Sequence, residues 1–268
     1  MFRDLCQACE NRNLVEVERL LEQGAPVNLK PFTEPNNHYR QPALCCAVDT
    51  GHFLLVKLLL EYDADPNLQS AIGGSPLVHA VSRGFEAIVK LLLHNGAKME
   101  VSGIGLDIFG YSNILFFAIN SKNPEALKIL FEFGADAMIH TRSGVKHDGD
   151  PPLLKALEQG SFEMMRLLLD YGADVKGNSK GLGPLSPLLK ALWQSDLDSE
   201  QLYNIVECLL QHGADSNEKL HSFVWYEWRK AGSLSGMAIG ATPLHIAVKH
   251  DCISPAILQL LLAYGGDP

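Results

Sequence analysis

Long apolar runs are missing from this chain of 268 residues. No stretch reaches the ~18 consecutive apolar residues of a membrane span, and the N-terminus has no secretory apolar core. The expectation is therefore no membrane association and a cytoplasmic location. Positive charge is also scarce, with 22 Lys and Arg against 31 Asp and Glu and a formal charge of −9. A general binder of nucleic-acid phosphates is normally basic, so that class is not expected. Catalytic motifs are lacking too. There is no phosphate-binding loop, nucleophile elbow, zinc-protease pair or kinase signature, and Gly103-Ile104-Gly105 is not followed by a dinucleotide pattern. No cofactor is expected.

Cysteine is present but without the spacing of a secreted disulfide scaffold, so the six thiols read as reduced. Cys6 and Cys9 lie three apart on a first helix, and Cys45-Cys46 fall at nearly matching places further on. Stacking would bring these four thiols near one another, and a structural zinc site is one reading of them. Against it, adjacent helical residues point about 100° apart, and buried free Cys behaves as a small hydrophobe. No metal site is expected, and Cys208 and Cys252 read as core.

What the chain has instead is a recurring pattern. Closing turns stand at Gly24-Ala25-Pro26, Asp63-Ala64-Asp65, Gly96-Ala97-Lys98, Gly134-Ala135-Asp136, Gly172-Ala173-Asp174, Gly213-Ala214-Asp215 and Gly265-Gly266-Asp267. An apolar run such as Val56-Lys57-Leu58-Leu59-Leu60 precedes each turn. Helix openers precede the runs, among them Ser75-Pro76-Leu77, Ser186-Pro187-Leu188 and Thr242-Pro243-Leu244. Pro suits the first helical position, where its missing N–H has no helical partner anyway, and the preceding hydroxyl caps the helix.

The best opener, Ala241-Thr242-Pro243-Leu244-His245-Ile246-Ala247, resembles the Thr-Pro-Leu-His-x-Ala signature of ankyrin repeats, whose period is about 33 residues. The resemblance implies an all-α solenoid of stacked helix-turn-helix units joined by extended inter-repeat fingers. It covers 1–268 as a single domain, with repeats at about 1–28, 41–67, 74–100, 112–138, 150–176, 185–217 and 241–268. Asp63 replaces a helix-ending Gly, a position that asks for left-handed backbone. The signature His is in place only at His245; Cys45 and Leu154 take that position elsewhere, and His79 falls one residue late. Those openers are expected to lack a hydrogen-bonding side chain. The first repeat starts directly in a helix, as an end cap does. Because the sequence stops at Asp267-Pro268 with no polar closing helix, the natural chain is expected to continue. Asn28, Asn67 and Asn217 end their turns, where the resemblance implies sites open to asparaginyl hydroxylation and where turn hydrogen bonding is the ordinary role.

The intervals between repeats are individual to this chain. Twelve residues separate Asp63 from Ser75, but 18 separate Gly24 from Pro42, 17 Gly96 from Asn113, 17 Gly134 from Pro151, 14 Gly172 from Ser186 and 29 Gly213 from Thr242. Insertions that share one face of a repeat array usually build its binding surface. The long finger at 215–241 holds His221, Phe223, Trp225, Tyr226, Trp228 and Arg229, including two of the three Trp residues. Trp, Tyr and Arg dominate binding hot spots. The alternative is that Phe223 or Trp225 folds down as a small core for the finger itself. Gly232, Gly236 and Gly240 follow, with Ser233 and Ser235 between them, as in a flexible lid.

Shorter fingers contribute His38, Tyr39 and Arg40, then Phe109 and Tyr111, then His140, Arg142, His147 and Asp148. The last group offers acid–base side chains, although turn-forming Asp and Gly explain them as a solvated hairpin. An insertion around Ser195–Glu200 is expected to lengthen a loop or helix cap on the opposite edge. Two functions follow. The favoured one is a monomeric, non-catalytic module that grips a protein or peptide partner with its concave face and fingers. The alternative is a proton-transfer isomerase or cyclase whose finger-built pocket takes a small apolar ligand.

Overall fold

Several helix pairs start where a short side chain can cap them. Ser75 and Ser186 accept through Oγ from the N–H of Val78 and Leu189, at 3.4 and 3.3 Å, and a proline follows each at the first helical position. Second helices are capped in the same way by Asn13, His52, Asn123, Asp198 and Ser254. Each such cap satisfies a donor that the helix would otherwise leave unpaired, and is worth about 1 kcal/mol.

The computed structural model describes residues 2–28, 41–70, 74–101, 113–137, 152–176, 186–193, 197–220, 240–249 and 254–267. These form seven helix pairs. They are α1 (Phe2–Glu10) with α2 (Leu14–Glu22), α3 (Ala43–Asp49) with α4 (Phe53–Glu61), and α5 (Pro76–Arg83) with α6 (Glu86–His94). Then come α7 (Ile114–Asn120) with α8 (Pro124–Glu132), α9 (Pro152–Glu158) with α10 (Phe162–Asp170), and α11 (Pro187–Trp193) with α12 (Ser199–Gln211). The last pair is α13 (Pro243–Lys249) with α14 (Pro255–Ala263). No strand occurs among the described residues, only an isolated antiparallel bridge between Glu100 and Asn113. The expected all-α repeat fold is what these pairs make.

The pairs fall into two compact units, α1–α8 and α9–α14. Within the first, the first helices α1, α3, α5 and α7 pack in one row and the second helices α2, α4, α6 and α8 in another. Within the second unit the rows are α9, α11, α13 and α10, α12, α14. Second helices bury a doubled stripe, such as Ile88, Val89, Leu92 and Leu93 in α6, which fits the 3.6-residue period of a helix facing a core on one side. First helices bury nearly everything: all of Ala43 to Val48 is inside.

Departures from the repeat pattern have local solutions. Asp63 adopts φ 59°, so the left-handed turn forms without glycine. The inter-helix turns do likewise at Arg12 and Lys122, with φ 57° and 53°. Where the signature His is missing, Cys45 Sγ faces the Leu68 carbonyl at 3.8 Å, so that opener keeps a weak donor. Its counterpart Cys6 faces the Gln41 carbonyl at 3.9 Å. The insertion near Ser195 extends the second helix of its pair. α12 has 13 residues where its neighbours have 9, and Asp198 caps it by accepting from the Gln201 N–H at 2.8 Å.

Candidate binding surface

The finger residues singled out in the sequence lie outside the described residues: His38, Tyr39, Arg40, Phe109, Tyr111, His140, Arg142, His147, Asp148, His221, Phe223, Trp225, Tyr226, Trp228 and Arg229. What the described residues supply is a platform of helices and turns. It consists of the first-helix side chains that no second helix covers and the turns that fix one repeat on the next.

The turns are fixed by asparagine. Asn28 donates through Nδ2 to the Asp63 carbonyl at 2.7 Å and accepts through Oδ1 from the Asp65 N–H at 2.7 Å. Asn67 reaches the Gly96 carbonyl at 3.1 Å and the Lys98 N–H at 2.8 Å. Asn217 does the same with Gly265 and Asp267, both at 2.7 Å. The turn hydrogen bonding expected of these residues is therefore directed at the next repeat. One amide satisfies a carbonyl and an N–H of the following turn, and so fixes one turn on the next.

The first-helix face carries charge in a repeating arrangement. Asp49 is the last residue of α3, and it accepts from Arg83 Nε at 2.9 Å and lies 2.9 Å from His79 Nδ1, both on α5. Burial alone would raise the Asp49 carboxyl. The His79 hydrogen bond and the charges of His79 and Arg83 outweigh that, holding it below its ordinary value. In the second unit Glu158, the last residue of α9, accepts from Lys190 of α11 at 2.5 Å and from Lys155 at 3.3 Å. Burial again pushes its carboxyl up, and the two lysines, Lys190 foremost, bring it below the usual range. His79, Lys155 and Lys190 all occupy the fourth position of their helices. An acid at the end of one first helix is thus tied to a base at the fourth position of the next. Sequence reasoning missed both clusters. Aligning the repeats on their turns would have exposed the shared register.

A second collection of reactive groups lies on the other side of the second unit. Phe162, Arg166 and Asp170 of α10, with Asn204, Glu207, Cys208, Gln211 and the adjoining His212 of α12, line an open cleft of about 280 Å³. His212 Nε2 is 3.5 Å from Asp170, and its Nδ1 is 3.8 Å from Cys208 Sγ. The arrangement resembles a nucleophilic triad only in composition. Nδ1 also sits 2.8 Å from the Cys208 carbonyl, so its proton is donated there and it cannot accept from the thiol. Burial, then the nearby Asp170 charge, push the Cys208 thiol up, opposite to what an activated nucleophile needs. Cys6, Cys9, Cys45 and Cys46 are all buried. Burial raises Cys9 and Cys45, while a hydrogen bond with Cys6 and then burial raise Cys46, so these thiols stay protonated. Among the described residues no three His, Cys, Asp or Glu gather as metal ligands, and no helix is long and apolar enough to cross a membrane.

Comparison with known proteins agrees with this repeat geometry. The profile described as "Ankyrin repeats (3 copies)" matches residues 5–103 and 115–220, and that described as "Ankyrin repeat" matches 239–268. The putative ankyrin repeat protein FPV232 of fowlpox virus is 26% identical over 98% of this chain and 53% of its own length. The potassium channel AKT2/3 of Arabidopsis thaliana is 30% identical over 64% of this chain and 19% of its own length. The chain thus spans from about a fifth to half of these relatives. Among solved structures, the human ASB11 ankyrin repeat domain superposes with a TM-score of 0.65 at 23% identity, covering 98% of both chains. The ankyrin repeat domain of Bcl-3 gives 0.68 at 24% identity, covering 97% of both. At that identity they establish the fold alone.

Proposed function

This chain belongs to the ankyrin-repeat family, and we propose that it works as a protein-binding module that grips a protein or peptide with its concave face and extended fingers. Ankyrin repeats typically serve in protein–protein interaction. The observation that carries the reading is the cross-repeat locking of the first-helix face. Asp49 with His79 and Arg83, and Glu158 with Lys190, hold charged side chains in place on adjacent helices. The asparagine clamps hold the turns beside them. A surface fixed before its partner arrives loses little conformational entropy on binding.

On this platform the aromatic finger supplies the anchors. Trp225, Tyr226 and Trp228, with Arg229 beside them, have the composition of a hot spot, and His221 and Phe223 flank them. The groups His38 to Arg40, Phe109 with Tyr111, and His140 to Asp148 add polar and aromatic contacts from shorter fingers. The module acts as a monomer.

The test compares proteins captured by the intact chain, by a Trp225→Ala/Tyr226→Ala/Trp228→Ala variant, and by a Glu163→Ala variant altered on α10. Quantitative mass spectrometry should show the partner depleted at least about tenfold on the finger variant, the loss expected for a 1.4 kcal/mol anchor, and retained on the α10 variant. Equal capture by all three would remove the finger from the account.

A further inference from the structure

Negative charge is unevenly divided between the two rows of helices. The first helices α1, α3, α5, α7, α9, α11 and α13 hold five basic and four acidic residues, whereas the second helices hold five basic and eleven acidic. The first helices thus carry a small surplus of base in a chain whose formal charge is −9. The intervals between repeats do not supply the missing acid. Residues 29–40, 102–112, 138–151, 177–185 and 221–239 together hold seven basic and five acidic residues.

Single acids hold that surplus in place. Asp49 engages Arg83 through Nε, and among the described residues the two terminal guanidinium nitrogens make no hydrogen bond. Arg83 is half-exposed, so those donors remain available. In the second unit Lys155 and Lys190, 31% and 21% exposed, both turn to Glu158. Two ammonium groups therefore share one carboxylate. α9 and α11 begin with the same six residues, Pro-Leu-Leu-Lys-Ala-Leu, and differ at the seventh, where Glu158 gives way to Trp193. α11 thus brings a lysine without an acid of its own, and a half-buried Trp193 one turn on. A partly buried cation in excess of its counter-charges gains more from a further anion than an exposed one does.

We propose that the first-helix face of each unit takes carboxylates from an acidic segment of the partner, with Arg83 receiving one in the first unit and Lys155 with Lys190 in the second. This rests on the protein-binding reading above and gives the partner its chemistry. Arg83, oriented by Asp49, presents terminal N–H groups that a carboxylate bridges in pairs. Glu158 keeps the two lysines together before the partner arrives, so little side-chain entropy is lost on binding. The second helices, with more than twice as many acids as bases, repel the same segment and direct it to the first-helix side.

The probe is a short fluorescein-labelled peptide of alternating Glu and Gly, with a Gln-for-Glu counterpart as control, titrated onto the full chain. The Glu peptide should bind with a Kd below about 1 mM and the Gln peptide at least about tenfold more weakly, the difference a charge-assisted hydrogen bond makes. Arg83→Gln/Lys190→Gln should weaken the Glu peptide by a similar factor with the helical spectrum retained. Lys90→Gln/Lys128→Gln, on the second helices α6 and α8, should leave it unchanged. On the unaltered chain the Glu peptide should shift the Arg83 Nε–H and Trp193 indole N–H resonances. Equal binding of the two peptides, equal loss on both double variants, or shifts confined to the second helices would overturn the proposal. So would a single-stranded DNA oligomer that binds more tightly than the Glu peptide. A partner lost from the finger variant, together with no binding of the Glu peptide, would keep the protein-binding reading and overturn this one.

Discussion

Asp49 and Asn67 show how single side chains tie neighbouring repeats together. Asp49 has a folded-state pKa below the ordinary 3.8. Its stabilising contribution is therefore fully present above that value and is lost as pH falls through the lower, folded one. Asp49→Asn should lower the denaturation midpoint at neutral pH, and the gap from the parent should close as pH drops below 3.8. A gap that stays constant with pH would show that the carboxylate charge is not what matters. Asn67 acts through two hydrogen bonds to Gly96 and Lys98, so Asn67→Ala should cost about 1–2 kcal/mol in urea unfolding, with no change in the far-ultraviolet spectrum. Local sequence shows Asn67 as a turn residue, but not its reach to the next repeat, and it shows nothing of the Asp49 cluster. Asp49 and His79 are 30 positions apart and Glu158 and Lys190 are 32, because finger lengths vary while the stacked register does not. No fixed spacing finds such pairs.

The helix pairs were far easier to read, since Pro at first positions, capping hydroxyls and glycine after second helices are local signals. The exceptions lie in the turns. At Gly51 φ is 70°, and an added Cβ would sit 2.9 Å from Phe85 Cζ of the next pair. Gly51→Ala should therefore destabilise by about 2 kcal/mol, through left-handed backbone and crowding together. Trimming the ring in a Gly51→Ala/Phe85→Leu variant should relieve only the crowding. If the double variant is no better than the sum of the singles, the ring contact is not the cause. Asp63, at φ 59°, runs the other way. Asp63→Gly removes the cost of a left-handed L-residue and should raise stability by about 0.5 kcal/mol in the same assay.

At the scale of the whole molecule, the helix pairs make two compact repeat units, while the intervals between repeats carry what is particular to this chain. The chain is acidic, with a formal charge of −9, and no helix among the described residues is long and apolar enough to cross a membrane. The candidate site was legible only as a list of finger residues. Those residues fall in chain segments that no helix period governs, whereas the helix pairs follow from repeat register. The most direct measurement is hydrogen exchange on the chain alone and in complex with the partner captured by the intact protein. The account predicts slowed exchange in 221–239 and in the first helices α3, α5, α9 and α11. Slowing confined to the second helices α4, α6, α10 and α12 would contradict it.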